Sequence, residues 1–240
     1  MNIKKISTMI GVVLFSGYAF SQDAAPSDAE FNKKVHDYLI SNPGVLIEMS
    51  NLLQKQQMEK VDALDKDKIK KYSASIFSDS DDPIMGNLDG KKYLVEFIDY
   101  NCGYCKRSYA LVSELLKKNS DIKLIVKEYP ILSDSSTYAA KAALAVNALY
   151  PEKFASFHDA LMTQPDHVTN EIVASVVSSL GMNWKKISEL METKPITLKL
   201  AQNQSLAQTL DITGTPAFVL TKKIVRGAPQ SMTELQAMVE

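Results

Sequence analysis

Tyr93-Leu94-Val95-Glu96-Phe97-Ile98-Asp99-Tyr100-Asn101-Cys102-Gly103-Tyr104-Cys105 is the stretch on which the reading of this chain turns. Its first six residues are apolar apart from Glu96, the pattern of a strand covered on both faces. Two cysteines follow with two residues between them, and a helix is expected from there to about Asn119. Ile122 to Tyr129, rich in Ile, Leu and Val, predicts a second strand. The result is a strand-helix-strand unit with Cys102 and Cys105 at its first strand-to-helix corner, where a CxxC reads as a redox motif.

The position suits the chemistry. Disulfide exchange needs a thiolate, and a free thiol has a pKa of about 8.5. At a helix N-terminus, free N–H groups and the helix dipole favour a negative charge on Cys102. Lys106 and Arg107 either add positive charge nearby or, being on the first turn, point to solvent. Cys105 lies one turn further in, nearly facing Cys102. Cys102 is therefore the expected nucleophile, and Cys105 the thiol that resolves the mixed disulfide.

Other uses of the motif fit less well. These are the only two cysteines. A bridge closing so small a loop removes little chain entropy and is a poor staple. Haem attachment needs a His after the second Cys, where Lys106 stands. A structural zinc site needs about four ligands, and His36, His158 and His167 all lie far from the motif in sequence. Neither a cofactor nor a metal is expected.

Outward from the motif, residues 1–21 read as an export signal. Lys4 and Lys5 precede an uncharged, mostly apolar stretch from Ile6 to Phe20, with a small-x-small cleavage pattern ending at Ser21. In a bacterium with two membranes the product would lie in the periplasm. A formal net charge of −1 gives no reason to expect a nucleic-acid partner. Residues 22–75 form an N-terminal helical segment. Ser27 and Glu30 fit a capping box for a helix over 27–41. Asn42-Pro43 stops that helix and starts another that reaches about Lys71, with Asn42 as its cap. Its apolar positions, among them Leu46, Met49, Leu52 and Leu53, cluster in the first half. Two helices with one narrow stripe need a further surface to pack on. Ser73 to Asp82 reads as a polar linker around a single Ile76-Phe77 pair. Residues 76–240 form the main domain, helical over about 135–210, with a Pro-led strand at Gly214-Thr215-Pro216-Ala217 and a last strand near Ile224.

The run from Val95 to Cys105, with Gly214-Thr215-Pro216-Ala217, resembles the DsbA-like branch of the thioredoxin superfamily. The N-terminal helices resemble those of ScsC-like members, which oligomerise through this region. The resemblance implies an α/β protein: a thioredoxin fold with an inserted helical domain, preceded by an N-terminal helical oligomerisation segment. It implies a cis Thr215–Pro216 bond packed against the CxxC, and Gly103, Tyr104, Thr215 and Pro216 as substrate-binding residues. Glu96 has two readings, an exposed edge residue or a buried acid that exchanges a proton with Cys105. Asp99 is a weaker candidate that caps the strand end. Gly103-Tyr104 replaces the Pro-His of the strong oxidases, and Tyr104 brings no cation, so a less oxidising pair is expected. The expected function is a periplasmic thiol:disulfide oxidoreductase, foremost a disulfide isomerase acting on unfolded or misfolded exported proteins. It would work with a membrane redox partner of DsbB or DsbD type, as a homo-oligomer, dimer or trimer, through residues 27–60. The alternatives are a disulfide-donating oxidase of the same fold and a non-catalytic chaperone or surface-associated binding protein.

Overall fold

The computed structural model describes residues 27–239. The expected export signal and its cleavage near Ser21 lie outside them. The chain divides into two compact units between Gln54 and Lys55, well before the expected boundary at 75/76.

The first unit contains α1 (Asp28–Ser41) and the start of α2 (Gly44–Lys71). Ser27 caps α1 by accepting the Glu30 N–H at 3.3 Å. Glu30 pairs with Lys34 at 2.9 Å. Asn42 does not cap α2. Its side chain turns back to the Tyr38 carbonyl at 2.8 Å and closes the end of α1. Phe31, Tyr38, Ile40, Leu46, Ile47, Met49, Leu52 and Leu53 are all exposed, and no described residue of this unit is buried.

The second unit is built on a five-stranded sheet of order β1-β3-β2-β4-β5. β2 (Lys92–Ile98) and β3 (Ile122–Glu128) are parallel and joined through α4 (Gly103–Lys118). β1 (Ile84–Gly86) is the antiparallel edge beside β3, and β4 (Ala217–Val219) and β5 (Ile224–Arg226) continue antiparallel from β2. α5 (Asp134–Leu149), α6 (Phe154–Met162), α7 (Asn170–Ser179), α8 (Trp184–Met191) and α9 (Lys194–Thr209) intervene between β3 and β4, and α10 (Met232–Val239) ends the described chain. This is the thioredoxin fold with a helical insertion.

Alternation along the strands separates two cores. Leu94, Ile98, Leu124 and Val126 face α4 and the helical insertion, in a cluster with Val112, Ala143, Phe157 and Leu235. Val95, Phe97, Ile125 and Tyr129 face the other side, with Ile69 of α2, Ile76 and Leu206 of α9. The polar 73–82 segment is therefore not a plain linker. It holds α3 (Ser73–Phe77), whose Ile76 is fully buried. The late part of α2 is likewise tied in. Asp65 takes a bidentate pair from Arg226 of β5 at 2.9 and 3.0 Å, and Lys68 pairs with Asp211.

The second face also holds buried charge. Lys127 of β3 donates to the Ser75 carbonyl at 2.6 Å and pairs with Asp82. Lys199 of α9 pairs with Asp82 at 2.7 Å and Asp79 at 2.6 Å. Lys127, Asp82 and Lys199 are all buried.

Candidate active site

The β2–α4 corner brings the two thiols together. Cys102 occupies the N-cap of α4 in extended backbone geometry, and Cys105 lies in the first turn. Both are free thiols. Their environments differ. Cys102 is 6% exposed, whereas Cys105 is completely covered. The Cys105 thiol, hydrogen-bonding to the Cys102 sulfur, is the main influence that holds the Cys102 pKa down to about 5. The Thr215 side chain and the Cys105 and Tyr104 N–H groups add to this, and burial opposes it. Burial pushes the Cys105 thiol far above its ordinary range, and its bond to Cys102 and the nearby Glu96 push it further. Two chemically identical side chains thus differ sharply in acidity.

The register of β2 with β4 explains what stands beside them. Phe97 pairs with Ala217, so Thr215 and Pro216 run beside the carboxyl end of β2, from which Cys102 emerges. The Thr215–Pro216 peptide is cis. The Cys102 thiol donates to the Thr215 carbonyl at 3.2 Å. While Cys102 carries its proton, that carbonyl is already engaged. On the open side, Gly103 is exposed and Tyr104 is 57% exposed, with the Arg107 guanidinium 4.1 Å over its ring.

Glu96 is buried, 2% exposed, on the face of β2 that looks toward α4. The exposed-edge reading is thereby excluded. Burial pushes its carboxyl up to about 8. The Ser108 hydroxyl opposes the rise and the Cys102 charge adds to it. Ser108 of α4 lies within reach of both the Glu96 carboxyl, at 3.4 Å, and the Cys105 carbonyl, at 3.0 Å. The acid and the covered thiol share one buried layer.

The described geometry agrees with what the chain resembles. Residues 78–240 match the family described as thioredoxin, and residues 28–60 match the copper resistance protein ScsC N-terminal domain. The chain belongs to the thioredoxin family. A thioredoxin-like oxidoreductase from Silicibacter pomeroyi DSS-3 shares 36% identity with this thioredoxin-family chain, with a TM-score of 0.65 over 69% of this chain and 94% of its own. The thiol-disulfide exchange protein alpha-DsbA2 from Wolbachia pipientis is 29% identical, with a TM-score of 0.69 over 74% of this chain and 95% of its own. Proteus mirabilis ScsC in a transitional conformation is 29% identical, with a TM-score of 0.66 over 88% of this chain and 94% of its own. Together these place the chain in the DsbA-like, ScsC-like branch of the thioredoxin superfamily. The chain spans about a quarter of the length of the first curated relatives it matches, two Salinispora Na(+)/H(+) antiporters (24% and 22% of their sequences).

Some expectations about the site change. Lys106 does not turn its charge toward Cys102. Its ammonium donates to the Gln164 and Asp166 carbonyls at 2.9 and 2.7 Å. Arg107 covers Tyr104 instead. Asp99 is a structural acceptor for the Asn101, Ile131 and Leu132 N–H groups at 2.8, 2.9 and 3.1 Å. His158 is buried and bonds the Tyr100 hydroxyl at 3.0 Å, and Tyr100 in turn donates to Glu128 at 3.0 Å. Burial holds His158 down to about 3, so it stays neutral. Trp184 packs beside Tyr138. His36 is exposed on α1. Sequence reading missed Ser108, Tyr100 and Asn101. Ser108, three residues after Cys105, was accessible in principle, because residues three apart share a helix face.

Proposed function

We propose that this chain is a periplasmic thiol:disulfide oxidoreductase that attacks through Cys102 and resolves through Cys105, and that it works foremost as a disulfide isomerase on exported proteins. The unequal thiol pair carries this reading. A thiolate with a pKa of about 5 is present at neutral pH without any external base. It attacks a client disulfide by forming a bond to the near sulfur, and the far sulfur leaves as a thiolate. Cys105 in turn attacks the Cys102 sulfur of this mixed disulfide, and the client sulfur leaves as a thiolate. That second attack yields the Cys102–Cys105 disulfide and a reduced client. In isomerisation a client thiolate displaces Cys102 instead, and the enzyme leaves reduced.

Glu96 serves as the base for Cys105. In the wild type, release from the mixed disulfide is expected to speed up as pH rises through about 8, where Glu96 ionises. In Glu96→Gln that inflection disappears and release at pH 8 slows by about 10-fold or more. Stopped-flow fluorescence with a pre-formed mixed disulfide measures both. An unchanged pH profile removes Glu96 from the mechanism. Thr215, Pro216, Gly103 and Tyr104 line the approach of the client strand, a short form of strand addition.

The helices before Lys55 support an oligomer. Their large apolar side chains are exposed, and a unit this small cannot cover them itself. A second copy supplies the missing surface, so that several thiol pairs surround one client and effective concentration rises. Removing residues up to Gln54 is expected to give a monomer that still oxidises and reduces small thiols but fails to reactivate scrambled ribonuclease. A truncated protein that remains oligomeric, or one that reactivates as well as the full chain, overturns this assignment. A membrane partner of DsbD type would keep the pair reduced. The second reading, a disulfide-donating oxidase coupled to a DsbB-type partner, is favoured by the same stabilised thiolate, because an acidic thiol also gives up its disulfide readily. Acid trapping of the resting state in cells separates the two: reduced for the isomerase, oxidised for the oxidase.

A further inference from the structure

The residues that bracket the motif, Asn101 before it and Lys106 after it, both reach across the chain to the loop between α6 and α7. The Asn101 carboxamide holds Val168 at two points. It accepts the Val168 N–H at 2.7 Å and donates to the Val168 carbonyl at 3.3 Å. It also donates toward Ser135 and Ser136 at the start of α5. The Lys106 ammonium holds the Gln164 and Asp166 carbonyls. Ser135 meets His167 of the same loop at 2.7 Å. The loop is therefore pinned at Gln164 and Asp166 from one side of the CGYC segment and at Val168 from the other, with His167 held by Ser135 of α5.

Thr163, Gln164 and Pro165 at the start of this loop form one wall of a groove of about 710 Å³ that opens at the motif. Gly103, Arg107 and Tyr109 of α4 form the opposite wall, facing Met162, Gln164 and Pro165. Gly103 belongs to both the groove and the motif. Cys102 is nearly covered, and the Thr215 carbonyl closes part of its surroundings. A disulfide must approach with its sulfur–sulfur axis nearly in line with the Cys102 sulfur. A small disulfide does this without touching the loop. A polypeptide brings its flanking residues with it, and on the Gly103 side they meet the groove.

We propose that Asn101 and Lys106 are positioning residues that determine specificity: by fixing the 163–168 loop they set the wall against which the segment of a client beside its reacting cysteine docks. This rests on the exchange activity proposed above. It gives Lys106 a duty separate from the thiolate charge, and it explains why a lysine beside two cysteines turns away from them. The loop is a firm surface because its carbonyls are held by an ammonium, and charge-assisted hydrogen bonds are the stronger kind.

The test compares the full-length wild type with Lys106→Met, Lys106→Arg and Asn101→Ser. Each is assayed with scrambled ribonuclease and with hydroxyethyl disulfide, while hydrogen exchange is followed over residues 163–168 and the Cys102 titration by thiolate absorbance. In Lys106→Met the loop amides are expected to exchange about 10-fold faster or more. The KM for the protein client should rise about fivefold with kcat within about twofold, a loss of binding only. The rate with the small disulfide should stay within about twofold of wild type, and the Cys102 titration should not move. Lys106→Arg, which keeps two donors for two carbonyls, should restore the client KM. Asn101→Ser cuts the other side of the clamp and should repeat the split, which keeps the test decisive if Lys106→Met folds poorly. A shifted Cys102 titration in Lys106→Met, an equal loss with both substrates, or unchanged loop exchange overturns the proposal. A wild type that exchanges neither substrate defeats the functional reading instead, so the two failures are distinguishable.

Discussion

Cys102→Ala is expected to abolish exchange, with a loss of about a thousandfold or more, because the remaining thiol is buried and almost wholly protonated at pH 7. The burial and high pKa of Cys105 are the reason. No other cysteine exists to take over. Cys105→Ala has the opposite phenotype. Its Cys102 still attacks, but nothing inside the protein reverses the bond, so the mixed disulfide with a client accumulates. Non-reducing electrophoresis reads this directly. Alkylation gives the complementary measurement. In the wild type the rate at Cys102 should be flat above neutrality and fall with a midpoint of about 5 on acidification. In Cys105→Ala the midpoint should move up, since the Cys105 thiol is the largest of the influences that lower it. If Cys102→Ala keeps wild-type exchange, or if the alkylation midpoint lies near the ordinary thiol value, the thiol pair is not the active centre described here.

The largest effect on stability is expected at Asp82. Its carboxylate lies between Lys127 and Lys199, and all three are buried. Asp82→Ala strands two ammonium groups. Lys127 keeps only the Ser75 carbonyl, and Lys199 keeps only Asp79. Removing one partner of a buried ion pair costs about 3–5 kcal/mol. For a unit of this size that lowers Tm by about 10 °C. Urea denaturation with an unchanged m-value is the measurement to make, and a loss under about 1 kcal/mol contradicts the arrangement. Lys33→Ala is the control, because its pair with Asp37 is wholly on the surface and such pairs contribute about 0–1 kcal/mol. The cluster lies on the face of the sheet opposite α4. Asp82→Ala should therefore leave the Cys102 alkylation midpoint in place wherever the protein is folded.

The parts of the molecule legible in the sequence were those governed by local rules. The apolar run Tyr93–Ile98, the CxxC and the helix behind it announce themselves through strand composition, spacing and helix period. The charged interruption at Glu96 signalled its own importance, but which way it faced depended on what covers β2. The misreadings share a cause. The sequence offers Lys106 only the thiolate or solvent, yet its partners are the carbonyls of residues 164 and 166, and main-chain acceptors leave no trace in side-chain identity. Asn42-Pro43 has the form of a helix start, yet Asn42 closes the end of α1, because a carboxamide can satisfy either terminus. The 73–82 segment looked like a linker because a single side chain, Ile76, anchors it and its acids are paired with lysines far along the chain. Lys127 passed unnoticed inside a strand for the same reason.

The unequal acidity of the two thiols also fixes how the couple behaves electrochemically. Between the low pKa of Cys102 and the very high one of Cys105, the reduced protein carries one thiol proton rather than two. Reduction of the disulfide then takes up two electrons and a single proton. Its midpoint potential should fall by about 30 mV for each unit of pH, half the slope of a couple that takes up two protons. The driving force of this protein is thereby partly insulated from the acidity of its surroundings.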